Sequence, residues 1–135
     1  MAKVLCEVDS VRVAAACPDK LTLILKQKES PSSYLPMWIS QHEGQTLANV
    51  LNRRPDSDGE LDLFLIRNEI TYSDVKRVTV DLEGSSFRAR VLLSRHREHC
   101  GVGCPIGLGL ALAVRANAPI LVDAAVFDNA GVHLE

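Results

Sequence analysis

The sequence predicts an α+β domain in which one unit, three strands followed by a helix, occurs twice. Three observations predict it. Apolar and polar residues alternate in three successive runs before residue 40, the apolar spacing then lengthens to that of a helix, and from about residue 75 the same succession begins again. One domain over residues 1–133 is expected, with a first repeat at about 4–70 and a second at about 75–131.

Cys6 and Val8, then Val11 and Val13, mark the first strand, and the break of register at Asp9-Ser10 reads as a bulge. Cys17-Pro18-Asp19-Lys20 has turn chemistry. Leu21, Leu23 and Leu25 alternate with Thr22, Ile24 and Lys26 as the second strand. A turn over 28–33 follows, and Leu35, Met37 and Ile39 then alternate with Tyr34, Pro36 and Trp38; the proline places this strand at an edge or a bulge. From Gln41 the spacing is helical, with Glu43, Leu47, Val50 and Leu51 on one face and His42, Gln45, Asn49 and Asn52 on the other. Ser40 and Glu43 stand at the spacing of a capping box, so the helix starts there. Residues 53–59 are a polar linker, and 61–70 reads as a second helix.

The second copy opens with Val78 and Val80, alternating with Thr79 and Asp81, and turns at Gly84-Ser85-Ser86. Phe87, Ala89, Val91 and Leu93 alternate with Arg88, Arg90 and Leu92; after a charged turn, Cys100, Val102 and Cys104 alternate with His99, Gly101 and Gly103. Pro105 suits the first turn of a helix that runs to about Ala116 and is stopped by Asn117-Ala118-Pro119. This helix is apolar all round and should be central. Its Gly107, Gly109, Ala111 and Ala113 would let other backbone approach closely. Ile120 to Val122 makes a short strand, and Asp123 caps a last short helix.

Composition limits function. Apolar residues make up 47% and charged residues 24%, the balance of a globular chain, and with 4% aromatics the core must be Leu, Val, Ile and Ala. A net charge of -2 excludes the basic excess of a dedicated nucleic-acid binder, so any such binding would come from a local patch and be salt-sensitive. The start carries no apolar run of signal-peptide length, and the least polar stretch, 101–114, falls short of the about 20 residues that cross a bilayer. The expectation is a cytoplasmic chain with no membrane partner and with Cys6, Cys17, Cys100 and Cys104 as free thiols. Leu134-Glu135 reads as the junction to an expression tag.

Leu35-Pro36-Met37-Trp38-Ile39-Ser40-Gln41-His42-Glu43-Gly44 strongly resembles the bifunctional nuclease domain family, where Leu-Pro-Ile-Trp-Ile-Gly leads into a helix through a glutamate and a small residue. Val80-Asp81-Leu82 with Ser86-Phe87-Arg88-Ala89 is similar to the family's Asp-Leu and Thr-Phe-Tyr-Ala strand pair, and Arg115-Ala116-Asn117-Ala118-Pro119-Ile120 to its Arg-Thr-Gly-Ala-Pro-Ile ending. The resemblance runs from about Glu7 to Gly131. It implies a duplicated α+β fold with a barrel-like, mixed or antiparallel sheet and packed helices, a homodimer, and metal-dependent cleavage of DNA and RNA. Two segments depart from the pattern. Cys104-Pro105-Ile106-Gly107 stands in place of Arg-Pro-Ser-Asp, and after Arg54-Pro55 the family's Thr-His-Asp-Leu is matched only at Asp62-Leu63, across a gap; without the gap, Gly59 takes that aspartate's place.

Phosphodiester hydrolysis needs an activated water and stabilised charge on phosphorus, commonly from carboxylates holding Mg²⁺ or Mn²⁺. Glu43, Asp62, Asp9 and Asp81 are the candidates, with Glu43 and Asp62 as the catalytic and metal-holding pair. Glu43 has two open readings, an inward-facing catalytic carboxylate or a plain helix cap. Asp62 has the bland reading of a helix-surface carboxylate, and Asp9 and Asp81 of strand or bulge residues. Arg88 and Arg90 share a strand face and, with Lys76, Arg77, Arg95 and Arg97 nearby, form a candidate nucleic-acid contact, balanced against a solvated face. His96, His99, Cys100 and Cys104 suggest zinc, but strand geometry separates the two cysteines by about 13 Å, which favours two core-facing thiols. The alternative function is a catalytically degenerate dimeric binding or scaffold module of the same fold.

Overall fold

A computed structural model describes residues 3–13, 20–30, 32–52, 74–84, 86–95 and 98–133. The helix expected at 61–70, with Asp62, and the residues Cys17, His96 and Arg97 lie outside them.

Strands β1 (Lys3–Val13), β2 (Lys20–Gln27) and β3 (Ser33–Ser40) form an antiparallel meander, and helix α1 (Gln41–Leu51) leaves from its end. Strands β4 (Asp74–Glu83), β5 (Ser86–Arg95) and β6 (Glu98–Pro105) form a second meander, followed by α2 (Ile106–Ala116). Strand β7 (Ile120–Asp123) runs between the meanders, antiparallel to β1 and parallel to β4. Helix α3 (Ala124–Ala130) and the two-residue β8 (Val132–His133), paired with Ser33 and Tyr34, follow it. The sheet order is β6-β5-β4-β7-β1-β2-β3-β8, mixed and mostly antiparallel.

The expected barrel is not formed: among the described residues the sheet is open, with β6 at one edge and β8 at the other. Prolines on the two sides bear on this. Pro36 in β3 and Pro105 at the end of β6 bring no N–H to a closing ladder. Among the described residues, β3 beyond Tyr34 is paired only with β2, so Pro36 lies at an edge there.

Local chemistry accounts for the element ends. The register of β1 shifts between Val8 and Ser10, at the expected bulge, and β4 has a second shift between Val75 and Arg77 that alternation did not indicate. Gly84 turns the β4–β5 hairpin with φ +63, a conformation open to glycine at no steric cost. Asn117, left-handed at φ 54, ends α2, and its N–H is taken by Ala113 and Val114 carbonyls. The Asp123 side chain accepts the Ala125 N–H and starts α3.

One face of the sheet is the core. Leu23, Leu25, Leu35, Met37, Ile39, Val78, Val80, Ala89, Val91, Leu93, Ile120 and Val122 turn to it, under Leu47 of α1 and Leu110 and Leu112 of α2. Each helix crosses the middle strand of its own meander at its fourth residue: Gly44 lies against the Leu21 side chain and Gly109 against Ala89. Leu21 faces Ile39 across one ladder and Ala89 faces Cys104 across the other, so the crossings occupy matching places. Helix α2 is central, as its composition predicts, and residues 106, 107 and 109–113 are all buried. Most of its apolar surface is therefore taken up by the core of its own chain, with Leu108 and Val114 partly buried. Leu51, expected on the inner face, is exposed, because α1 runs past the sheet there, and Thr46 is buried in the stripe instead.

Candidate functional site

The alternation in β3 sends Leu35, Met37 and Ile39 inward and leaves Pro36, Trp38 and Ser40 outside, with Trp38 60% exposed. On β5, Phe87 is half-buried and Arg88 exposed. These strands lie near opposite ends of the sheet order, yet residues of β3, β5 and the β6–α2 junction line one cleft of about 600 Å³. Trp38, Ser40 and Glu43 come from one side and Phe87, Arg88 and Pro105 from the other. The sheet thus curls until its ends stand across a gap, and the first turns of α1 and α2 form the floor.

Glu43 is half-buried on that floor, and its carboxylate is committed to hydrogen bonds. Oε2 accepts the Ser40 N–H at 3.2 Å and the Ser40 hydroxyl at 2.9 Å, and Ser40 Oγ accepts the Glu43 N–H at 3.1 Å, the full capping box. Oε1 accepts the Gly107 N–H of α2 at 2.9 Å. One carboxylate thus sits at the positive ends of two helices. Glycine at 107 makes this approach feasible: a Cβ there would lie 2.5 Å from Glu43 Cβ. The inward orientation was legible in the helical stripe, but the partner, in another element, was not.

The other candidates disperse. Arg88 lines the cleft, whereas Arg90 stands one step along the same outer face of β5, over Gly101. Asp9 is exposed at the β1 bulge and accepts the Ser10 hydroxyl at 3.1 Å. Asp81 is exposed and pairs with Lys3 at 3.8 Å. Cys104 faces the core, but Cys100, expected to be buried with it, is exposed, because β6 runs beyond the core at that end. Burial pushes the Cys104 thiol up to about 12, with Arg88 lowering it and Glu43 raising it, and burial alone pushes Cys6 up to about 12. Asp62 lies outside the described residues. Trp38 and Phe87, which sequence reasoning treated as motif and strand residues, are the aromatic walls of the cleft; an aromatic on the solvent face of an edge strand was the available signal.

A divalent cation at this site would need several oxygen ligands. Among the described residues no three His, Cys, Asp or Glu side chains come together to hold a metal ion, and both oxygens of the cleft's one described carboxylate already accept hydrogen bonds. The position where the resemblance places an aspartate is Gly107, whose backbone takes one of those oxygens. The described donor set therefore does not fit Mg²⁺ or Mn²⁺.

Residues 23–135 match the model of the bifunctional nuclease domain. Two proteins of Mycobacterium tuberculosis, uncharacterized protein MT1877 of strain CDC 1551 and uncharacterized protein Rv1829 of strain H37Rv, are each 29% identical to this chain over 129 residues, 93% of it and 76% of theirs. No helix among the described residues is long and apolar enough to cross a membrane.

Proposed function

The chain belongs to the bifunctional nuclease domain family, and from that premise we propose that it binds a single-stranded nucleic acid in the cleft between β3 and β5. The observation that carries this reading is the placing of exposed Trp38 and Arg88 on facing walls of one cleft. An indole face stacks on any base, and a guanidinium fork takes phosphate oxygens. Among the described residues no carboxylate lies within ion-pair distance of Arg88, so its charge is available to a ligand. Glu43 lines the same cleft, with its carboxylate oxygens accepting hydrogen bonds from Ser40 and Gly107.

In this reading the domain is a binding module and Glu43 its structural clamp. A second reading, family-type hydrolysis of DNA or RNA with Glu43 and Asp62 near Mg²⁺ or Mn²⁺, is favoured by family membership and by the opening of a carboxylate onto the cleft.

One experiment separates them. Labelled single-stranded DNA and RNA are incubated with the protein in Mn²⁺ or chelator, and both anisotropy and strand length are followed. Binding that persists in chelator and is lost in Trp38→Ala or Arg88→Gln supports the binding module. Cleavage that needs Mn²⁺ and is abolished by Asp62→Asn establishes the nuclease. Absence of binding at low salt overturns the cleft reading.

A further inference from the structure

From the cleft outward, the outer face of β4 and β5 carries an arginine row with no described carboxylate within ion-pair distance. Arg88 and Arg90 project from the same face of β5. Across the ladder Arg90 faces Thr79 and Leu92 faces Arg77, so Arg77 lies diagonally beyond Arg90. All three arginines are exposed, and among the described residues none has a carboxylate within ion-pair distance. Asp81, opposite Arg88, is paired with Lys3 at 3.8 Å. The flanking strand β6 leaves this face almost bare, with Gly101 opposite Leu92 and Gly103 opposite Arg90. The Arg90 side chain leans over Gly101, where a Cβ would stand 3.4 Å from its Cδ and Nη1, and the space over Gly103 is open for 4 Å.

We infer that this arginine row is a phosphate track that continues the cleft, leading a single strand out past Arg88, over Arg90, to Arg77. The inference rests on the strand-binding reading above and adds length selectivity to it. Arg88 and Arg90 are two residues apart on one strand, about 7 Å, and Arg77 follows on a diagonal of about 7–8 Å. Cations that converge would grip one anion; cations in file at regular steps suit the successive phosphates of an extended strand. Guanidinium forks hold such phosphates while leaving the bases free. The open space over Gly103, beside the Arg90 side chain that covers Gly101, leaves room for a sugar-phosphate chain to lie against the sheet.

The test compares a thymidine dinucleotide, followed by Trp38 fluorescence, with a labelled thymidine decamer, followed by anisotropy over a range of KCl concentrations. In Arg90→Gln and Arg77→Gln the decamer should bind more weakly, each lost contact reducing the slope of log K against log salt by about 0.7, while dinucleotide binding is unchanged. Gly103→Val, which blocks the track without altering charge, should also weaken the decamer alone. Circular dichroism confirms that each variant is folded. Decamer affinity and slope unchanged in both arginine variants, with Arg88→Gln still abolishing binding, would overturn the track and leave the cleft reading standing. Binding of neither length by the unmodified chain would overturn the cleft reading itself. Displacement of the decamer by polyglutamate as readily as by unlabelled oligonucleotide would also overturn the track, as a surface for any acidic polymer.

Discussion

The Glu43 carboxylate accepts the Gly107 N–H at 2.9 Å and so ties the first turn of α1 to the first turn of α2, 64 positions apart in the chain. Its other oxygen closes the capping box on Ser40. The two halves of the domain are thus joined at the floor of the cleft by a single side chain. That bond gives the Glu43 carboxylate a structural role that needs no metal.

Replacing Glu43 with Ala should lower stability by about 1–3 kcal/mol, through the lost cap and the orphaned Gly107 N–H. Glu43→Gln should recover part of that, because an amide oxygen still accepts from one partner while the amide nitrogen cannot. Urea unfolding midpoints measure both, and a change in Glu43→Ala below about 0.5 kcal/mol would contradict the clamp.

Gly107→Ala and Gly109→Ala set two effects against each other. Helix propensity alone favours alanine by about 1 kcal/mol. Each new Cβ, however, would stand 2.5 Å from another, that of Glu43 or of Ala89. Steric cost should win, with a net loss of about 1–3 kcal/mol. Higher melting temperatures in these variants would show that the helices can move apart freely.

The thiols give a pH signature. Cys6 and Cys104, pushed from 9.0 up to about 12, stay neutral in the fold at pH values where the unfolded chain ionises. This contribution is intact below about pH 9 and is lost as pH rises towards 12, because unfolding then releases protons. Unfolding midpoints from pH 8 to 11 should fall less steeply in Cys6→Ala than in the parent chain. In a Cys17→Ser background at pH 8, exposed Cys100 should react quickly with a disulfide reagent, and Cys6 and Cys104 only as the protein opens.

Trp38 is the chain's only tryptophan and is 60% exposed, so its emission reports directly on the cleft. Single-stranded oligonucleotide should quench it and shield it from acrylamide, and Arg88→Gln should abolish both effects. Unchanged emission at saturating oligonucleotide would place binding elsewhere.

Much of this fold was legible because local chemistry fixes it. The bulge at Asp9-Ser10, the cap at Ser40, the stop at Asn117 and the cap at Asp123 all follow from spacing or from one residue's conformational preference. The features that were not legible depend on distant geometry. Alternation placed Cys100 on the core face but could not show that β6 outruns the core. Helical spacing placed Leu51 inward but could not show where the sheet beneath α1 ends. The resemblance implied a barrel, whereas the ends of the sheet stand apart across the cleft. At the candidate site the inward turn of Glu43 and the outward turn of Trp38 could be read, but the meeting of β3 with β5 could not, since it arises from the curl of the whole sheet.

Strand β7 follows both meanders in sequence, yet among the described residues it is the strand that connects β1 to β4 in the sheet. Until residues 120–123 have left the ribosome, a nascent chain can hold at most two separate meanders, each presenting an unfinished inner edge to the crowded space outside. Premature termination between the end of α2 and β7 would therefore release a product with both half-cores formed and nothing to join them, a species prone to wrong strand pairing and suited to capture by chaperones or proteases.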